Sequence, residues 1–491
     1  MRARIGRLVR RLPLACWLVV LVAALHGAAW AVLTPAFQGP DEIAHFAYAE
    51  YVAKTGKPPS KASSFSVPDA DTVAAIEALP WSVDGKPSWS PDADRDLERR
   101  LDRLDRDGVA ASELGAAYQA TNPPLYQYLV AIPYRLADAL GGTTLDRLLA
   151  VRLATVAIGT VGVLFVVLLL RELFPRRRWA WVAGGLAVAL QPVLGFLIGT
   201  VNNDVPVLTA GAALLWLLTR AFRRGLTWPT AVGLGGAVLA GLLSKVSAYG
   251  LLAVLGWGLA VLALQQWRSW RAVLPRAVVA VLVAVVPLLL LQALRDVHNV
   301  DVTGGIGTAH ADHPVTQGPR DFVSYLWQFW LPQLPFMDEQ FPGYPHYPLW
   351  ETYVQAFAGR FGWFSFGFSP EASRTMIAVL VGLGAAAAAG LARHRDALRR
   401  DALLLLTLVG AFVGYALMVN LRGWQYRQET GENFEQVRYL FPMIGLYGAL
   451  VAAALLAFPP RWHRPLTAVV AVAAALHVLA SWGVVLTRYY M

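Results

Sequence analysis

The residues best suited to chemistry lie in the string TPAFQGPDEIAHFAYAEYVAKTGKPP, which begins at Thr34 where a long apolar run ends. Asp41 and Glu42 are adjacent carboxylates, and His45 stands one helical turn after Asp41. Acids at the lip of a bilayer are expensive and are kept mainly where function needs them. One carboxylate can take the proton of an attacking hydroxyl, while a second acid or an imidazole orients it or contacts the acceptor. Asp is also a favoured helix N-cap, so Asp41 could simply start a helix at Glu42; the two roles are compatible. Two cations complement these acids. The chain has only five lysines, none in an arginine-rich connection, and Lys245 sits between two short apolar tracts. Arg438, in EQVRYLFPMIGLYG, stands at the start of another. Either can meet a phosphate at membrane depth or merely snorkel to the interface.

The elements that carry these residues are membrane helices. Of 491 residues, 56% are hydrophobic and only 15% charged, which no ordinary soluble domain of this length shows. Apolar tracts long enough to cross about 30 Å of hydrocarbon recur along the chain. Spans are expected near 13–33, 149–170, 179–198, 205–220, 229–243, 246–265, 276–293, 372–392, 402–420, 438–458 and 466–487. The tract 229–264 is too long for one crossing, so a break is expected near Ser244–Lys245 on the outer side. The net charge of +10 comes from arginine clusters at every second connection, which marks those connections as cytoplasmic and argues against nucleic acid. The first span reads as an uncleaved anchor, and the lone Cys16 within it excludes disulfides. Residues 34–148 and 294–371 are then large extracytoplasmic loops on a single membrane domain spanning 1–491; DADRDLERRLDRLDRDG in the first reads as a solvated helix.

The pattern P-D-E-x-x-H-F at Pro40–Phe46 resembles the first external loop of lipid-linked glycosyltransferases of the GT-C class, in particular protein O-mannosyltransferases and their bacterial relatives. The resemblance implies an all-α polytopic GT-C fold with helical outer loops. It implies Asp41 as catalytic base, with Glu42 beside it, in inverting transfer of a sugar from a polyprenyl phosphate. Further segments resemble the family in order. YQATNPPLYQYLVAIPYRL is similar to a Pro-Pro-Leu-Tyr signature, with Asn122 where relatives often carry Lys or His, and with Tyr126 and Tyr128 suited to a membrane interface. GTVNNDVPVL is similar to a third region and would place Asn203 and Asp204 in the outer cavity, or make an Asx turn. Arg152 is placed facing the cavity or snorkelling, and Arg438 matches an R-Y-x-x-P segment before a late span.

The implied partners are a polyprenyl-phosphate-linked sugar, a glycan, lipid or protein acceptor, and the bilayer of a bacterial plasma membrane, with the site extracytoplasmic. No Walker or other Gly-rich phosphate loop supports a nucleotide donor. The histidines at 298, 310, 313 and 346, with acids nearby, match no zinc spacing; they read as loop residues, with a divalent metal as the alternative and no other cofactor implied. AFAGRFGWFSFGF is an aromatic, Gly-rich stretch without an assignable chemical role. A transporter or flippase is the alternative of a different class, although such proteins usually show internal repeats and midplane charges. A ligase moving a preassembled glycan would share the fold.

Overall fold

In the computed structural model the described residues are 12–58, 99, 122–298, 318–341, 348–431 and 433–491. Almost all are helical, and the helices follow the apolar tracts. α1 (Leu14–Leu33) contains no charged side chain and stops at Thr34. α2 (Glu42–Thr55) is closed by Gly56, whose φ of 72° suits a residue without Cβ. α3 (Leu125–Ala139) enters through Pro123–Pro124. α4 (Thr144–Leu173) starts on a Thr143/Asp146 capping box and, at 30 residues, spans about 45 Å.

α5 (Arg178–Ala189) and α6 (Pro192–Ile198) are bent by 62° to each other. Pro192 cannot continue the preceding helix, and the Gln191 side chain caps the new one by accepting from Leu194 N–H at 2.6 Å. The later helices are α7 (Asp204–Arg224), α8 (Trp228–Leu242), α9 (Gly250–Gln265), α10 (Trp270–His298), α11 (Pro319–Trp330), α12 (Pro370–Arg393), α13 (Ala402–Thr430), α14 (Ile444–Leu455) and α15 (His463–Tyr489). A two-residue hairpin pairs β1 (Arg360–Phe361) with β2 (Phe366–Gly367).

Among the described residues, nine helices are long and apolar enough to cross a membrane, and the bent α5–α6 pair makes ten. The chain is a multi-pass membrane protein. The remaining expected crossing falls on α8, whose 15 residues reach only about 22 Å. α8 and α9 are separated by the break expected at Ser244–Lys245, with a short 3-10 turn over Val246–Tyr249. Two local departures from expectation have physical causes. α13 runs on to Thr430, well past residue 420, because RGWQYRQET contains no proline and its single Gly423 is tolerated within the helix, which ends only at Gly431 with φ 78°. Residues 125–139 are a helix packed on α2 and α4, so Tyr126 is fully buried there and not at an interface, whereas Tyr128 is exposed.

Ion pairs distinguish the two ends of the bundle. At one end Arg220 and Arg224 meet Glu172, and Arg223 forms a two-pronged pair with Asp401 at 2.6 and 2.8 Å. The other end gathers the C-terminus of α1, α2, the start of α7, the α8–α9 break and the 3-10 turn Val437–Met443. Among the described residues, Asp41, His45, Asp204, Lys245 and Arg438 come together at this second end. The Arg/Asp-laced run 92–108, apart from Arg99, and His310, His313 and His346 lie outside the described residues.

Candidate functional site

Asp41 precedes α2 with φ 58° and ψ 12°, a left-handed conformation that costs most side chains about 1–2 kcal/mol and that Asp tolerates better. Its side chain makes no capping bond. Instead Oδ2 accepts from Arg438 Nη2 at 2.7 Å. The strained turn therefore aims the carboxylate away from the helix it begins. Arg438 also reaches Asp204, Nε to Oδ2 at 3.5 Å, and Asp204 Oδ1 accepts from Lys245 Nζ at 2.6 Å. Two acids and two bases thus form one chain, Asp41–Arg438–Asp204–Lys245. Beneath it lies Tyr439, whose ring centre is 5.2 Å from the Arg438 guanidinium carbon and 5.1 Å from Lys245 Nζ.

The cluster is buried but not saturated. Arg438 Nη1 has no hydrogen-bond partner, nor have Asn202 Nδ2 and Asn203 Oδ1. Burial alone would raise the Asp41 carboxyl, but Arg438 and Lys245 outweigh it and hold the group well below the ordinary carboxylate range. Burial pushes the Lys245 ammonium down, against the pull of Asp204. His45 is fully buried, its ring edge-on to Tyr126 at 6.5 Å, and neither ring nitrogen has a hydrogen-bond partner. Burial pushes its imidazole down to about 3, against the attraction of Asp41, so the ring is neutral at pH 7.

Other expected site residues build the walls. Glu42 forms a two-pronged pair with Arg152, at 2.8 and 2.7 Å, and also accepts the backbone N–H groups of Gly39 and Val201. Arg152 spends its remaining donors on the carbonyls of Ala31, Thr34 and Pro35. This clamp ties α1, α2, α4 and the α6–α7 connection together, so Arg152 neither snorkels nor faces an open cavity. Asn122 serves the α8–α9 break. Its Oδ1 accepts from Val246 N–H at 3.3 Å, and Leu125 N–H donates to Leu243 O at 2.9 Å. The Pro-Pro segment thereby fixes the two helix ends between which Lys245 projects. The Asx turn anticipated at Asn203 is made one residue earlier, with Asn202 Oδ1 accepting from Asp204 N–H at 2.8 Å. Asn203 donates instead to Ser244 O at 3.4 Å. Tyr126 accepts from Asn202 N–H at 2.9 Å and donates to Thr155 at 2.7 Å.

Sequence reasoning missed Asn202, Tyr439 and Glu435. Tyr439 adjoins Arg438 in R-Y-x-x-P and was legible there; Glu435 carries no local signal, because its partners Tyr325 and Asn420 reach it only through the packing of α11 and α13. Among the described residues no group of His, Cys, Asp or Glu is placed to hold a metal ion. What the cluster offers is a buried carboxylate for a proton and unfilled cationic donors for an anion.

Residues 24–447 match a family described as predicted membrane protein (DUF2142). No protein of curated function matches the sequence. Among solved structures, ArnT from Cupriavidus metallidurans bound to undecaprenyl phosphate superposes with a TM-score of 0.50 at 14% identity, over 94% of this chain and 70% of that one. The same enzyme in the apo state gives 0.49 at 15% identity, over 94% and 64%. An oligosaccharyltransferase from Archaeoglobus fulgidus, also apo, gives 0.46 at 14% identity, over 96% and 56%. The likeness to the lipid-bound ArnT structure identifies the fold as GT-C.

Proposed function

This chain belongs to the DUF2142 family of membrane proteins, and on that premise we propose that it is an inverting glycosyltransferase using a polyprenyl-phosphate sugar. The observation that carries the reading is the buried Asp41–Arg438–Asp204–Lys245 chain, in which Arg438 Nη1 is left without a partner. A buried guanidinium with a free donor beside an ammonium is suited to a phosphodiester. The GT-C fold supports the donor class, since ArnT carries undecaprenyl phosphate in its solved structure.

The step balances as a single displacement. The acceptor hydroxyl oxygen bonds to the anomeric carbon, its proton passes to Asp41, and the bond from that carbon to the phosphate oxygen breaks. The polyprenyl phosphate leaves with its added negative charge held by Arg438 and Lys245. While Asp41 is bound to Arg438 it is a weak base, because its proton affinity is depressed. A phosphate that draws Arg438 toward itself restores that affinity, so donor binding readies the base. Glu42 acts through Arg152, setting the turn that carries Asp41. The arginine-rich end lies in the cytoplasm and the site on the extracytoplasmic face of a bacterial plasma membrane. The acceptor is a glycan, lipid or protein hydroxyl. A translocation path fits less well, since the buried charges pair among themselves at one end of the bundle.

The test is stereochemical. Purified protein in nanodiscs, supplied with a polyprenyl-phosphate sugar of known anomeric configuration, should form a glycoside of inverted configuration. A retained configuration would overturn the single back-side displacement.

A further inference from the structure

The place of α11 is set by the face of α13 on which it lies. Along the span Ala402–Gln428, Leu403, Leu406, Val409, Val413 and Leu417 are exposed and recur at three- and four-residue steps. They form one face, turned to the acyl chains of the bilayer, while another face of α13 packs on α9. Asn420 and Trp424 continue the bilayer face at the same spacing, yet both are buried. What covers them is α11. Trp330 Nε1 donates to Asn420 Oδ1 at 2.8 Å, and the Phe322 and Trp424 rings meet edge-to-face at 5.3 Å. α11 therefore lies outside the bundle, on the bilayer side of α13.

Its depth follows from the helix rise. Asp401, just before α13, pairs with Arg223 at the arginine-bearing end. At 1.5 Å per residue, Asn420 and Trp424 stand roughly 27 and 33 Å from Ala402, at the far edge of about 30 Å of hydrocarbon. Two faces of α11 divide accordingly. Tyr325 and Phe329 turn inward, their rings 5.1 Å from Phe341 and 5.3 Å from Tyr353. Val323, Trp327 and Leu331, each four residues apart, are 60%, 37% and 44% exposed, and Phe336 beyond them is 81% exposed. The Trp327 indole N–H donates to Pro332 O at 3.0 Å, so the ring offers apolar surface outward. Residues 322–337 carry no charged side chain.

We infer that α11 is an in-plane helix seated at the head-group boundary of the leaflet at the site end, with Val323, Trp327, Leu331 and Phe336 against phospholipid acyl chains. Continuity supports phospholipid as the occupant, because this stripe takes over, at one end, the bilayer face of α13 that α11 covers. Exposed tryptophan and a charge-free apolar stripe also suit that depth. The seat bears on the site. Tyr325, on the buried face, donates to Glu435 Oε1, which Asn420 Nδ2 also reaches at 3.2 Å, three residues before Arg438. Phospholipid thus helps to fix the stretch that presents Arg438, whatever group the chain transfers.

Fluorescence quenching in bilayers tests this seat. Full-length Cys16→Ala protein carries Val323→Cys, Trp327→Cys or Leu331→Cys, labelled with a nitrobenzoxadiazole fluorophore. Each is held as a single copy per nanodisc in phosphatidylcholine free of polyprenyl lipid, which removes a second copy and a donor chain as occupants. Val413→Cys is the mid-bilayer reference, since Val413 is exposed on the bilayer face of α13, roughly 17 Å from Ala402. Nitroxides near the head-group end of the acyl chain should cause a greater loss of fluorescence at the three α11 positions than nitroxides near its methyl end. Val413→Cys should show the reverse order. Gel filtration and thermal melts identify the folded variants, and any one of the three α11 positions decides the matter. Quenching by aqueous iodide without lipid quenching would place the stripe in water, and protection from both would place protein over it. Either result overturns the inference, as does a depth profile equal to that of Val413→Cys.

Discussion

Replacing Asp41 by Asn should change binding and turnover in opposite directions. Asn has the same shape and tolerates the left-handed backbone that residue 41 adopts, so the turn into α2 is kept. What disappears is the charge that holds Arg438 Nη2 at 2.7 Å. Arg438 keeps Asp204 at 3.5 Å and the Tyr439 hydroxyl at 3.3 Å, so it is not left alone in the interior. A charge-assisted hydrogen bond is worth about 1.5–3 kcal/mol. An incoming phosphate must give up that amount to win Arg438 from Asp41 in the wild type, and does not in the variant. Asp41→Asn should therefore bind polyprenyl phosphate roughly ten- to a hundredfold tighter. Single-turnover sugar transfer should fall by roughly 10²–10⁴-fold from the lost base. Equilibrium binding to nanodisc-held protein, alongside quench-flow transfer at saturating donor, measures both quantities. Weaker lipid binding together with near-normal transfer would refute the competition argument and the base assignment alike.

Other perturbations separate positioning from contact. Glu42→Gln breaks a fully buried pair with Arg152 and should cost about 3–5 kcal/mol of stability, read as a lower melting temperature, with bare-lipid affinity unchanged in the folded fraction. Lys245→Ala removes one phosphate contact and should weaken polyprenyl phosphate binding roughly tenfold or more, by equilibrium titration; wild-type affinity would leave Lys245 a mere partner of Asp204. The His45 imidazole lies at about 3, below its ordinary 6.5, so the unfolded chain takes up the proton first as pH falls. Stability should drop by about 1.4 kcal/mol per pH unit below 6.5, and melts of His45→Asn at pH 7 and pH 5 should show a shallower loss than wild type. Tyr126→Phe leaves Asn202 N–H and Thr155 without their shared partner and should cost about 1–3 kcal/mol without altering the pH profile of transfer.

Much of the architecture was legible because hydrophobic length and arginine placement act residue by residue along the chain. The break at Ser244–Lys245 followed from the excess length of one apolar tract, and the arginine-bearing end was set by Arg220–Arg224. The pairing of site residues was not legible. Nothing local to Arg438 states that it meets Asp41, almost 400 positions earlier, since that contact depends on how the 3-10 turn packs against α7. For the same reason Arg152 gave no sign that its donors are consumed by Glu42 and the carbonyls that end α1. Asn122 stood out only as a departure from the Lys or His that relatives often carry there, and nothing in the sequence showed that its amide oxygen closes the α8–α9 break. AFAGRFGWFSFGF showed composition without geometry, and its hairpin finds its place only where Phe361 stacks on Trp30.

In the proposed mechanism a lipid phosphate takes Arg438 from Asp41. A density map of the full-length protein in nanodiscs with polyprenyl phosphate tests it most directly. Phosphate oxygens are expected within hydrogen-bond distance of Arg438 and Lys245, with Asp41 released from its 2.7 Å contact to face the acceptor side. A phosphate bound elsewhere, with the Asp41–Arg438–Asp204–Lys245 chain intact, would contradict it.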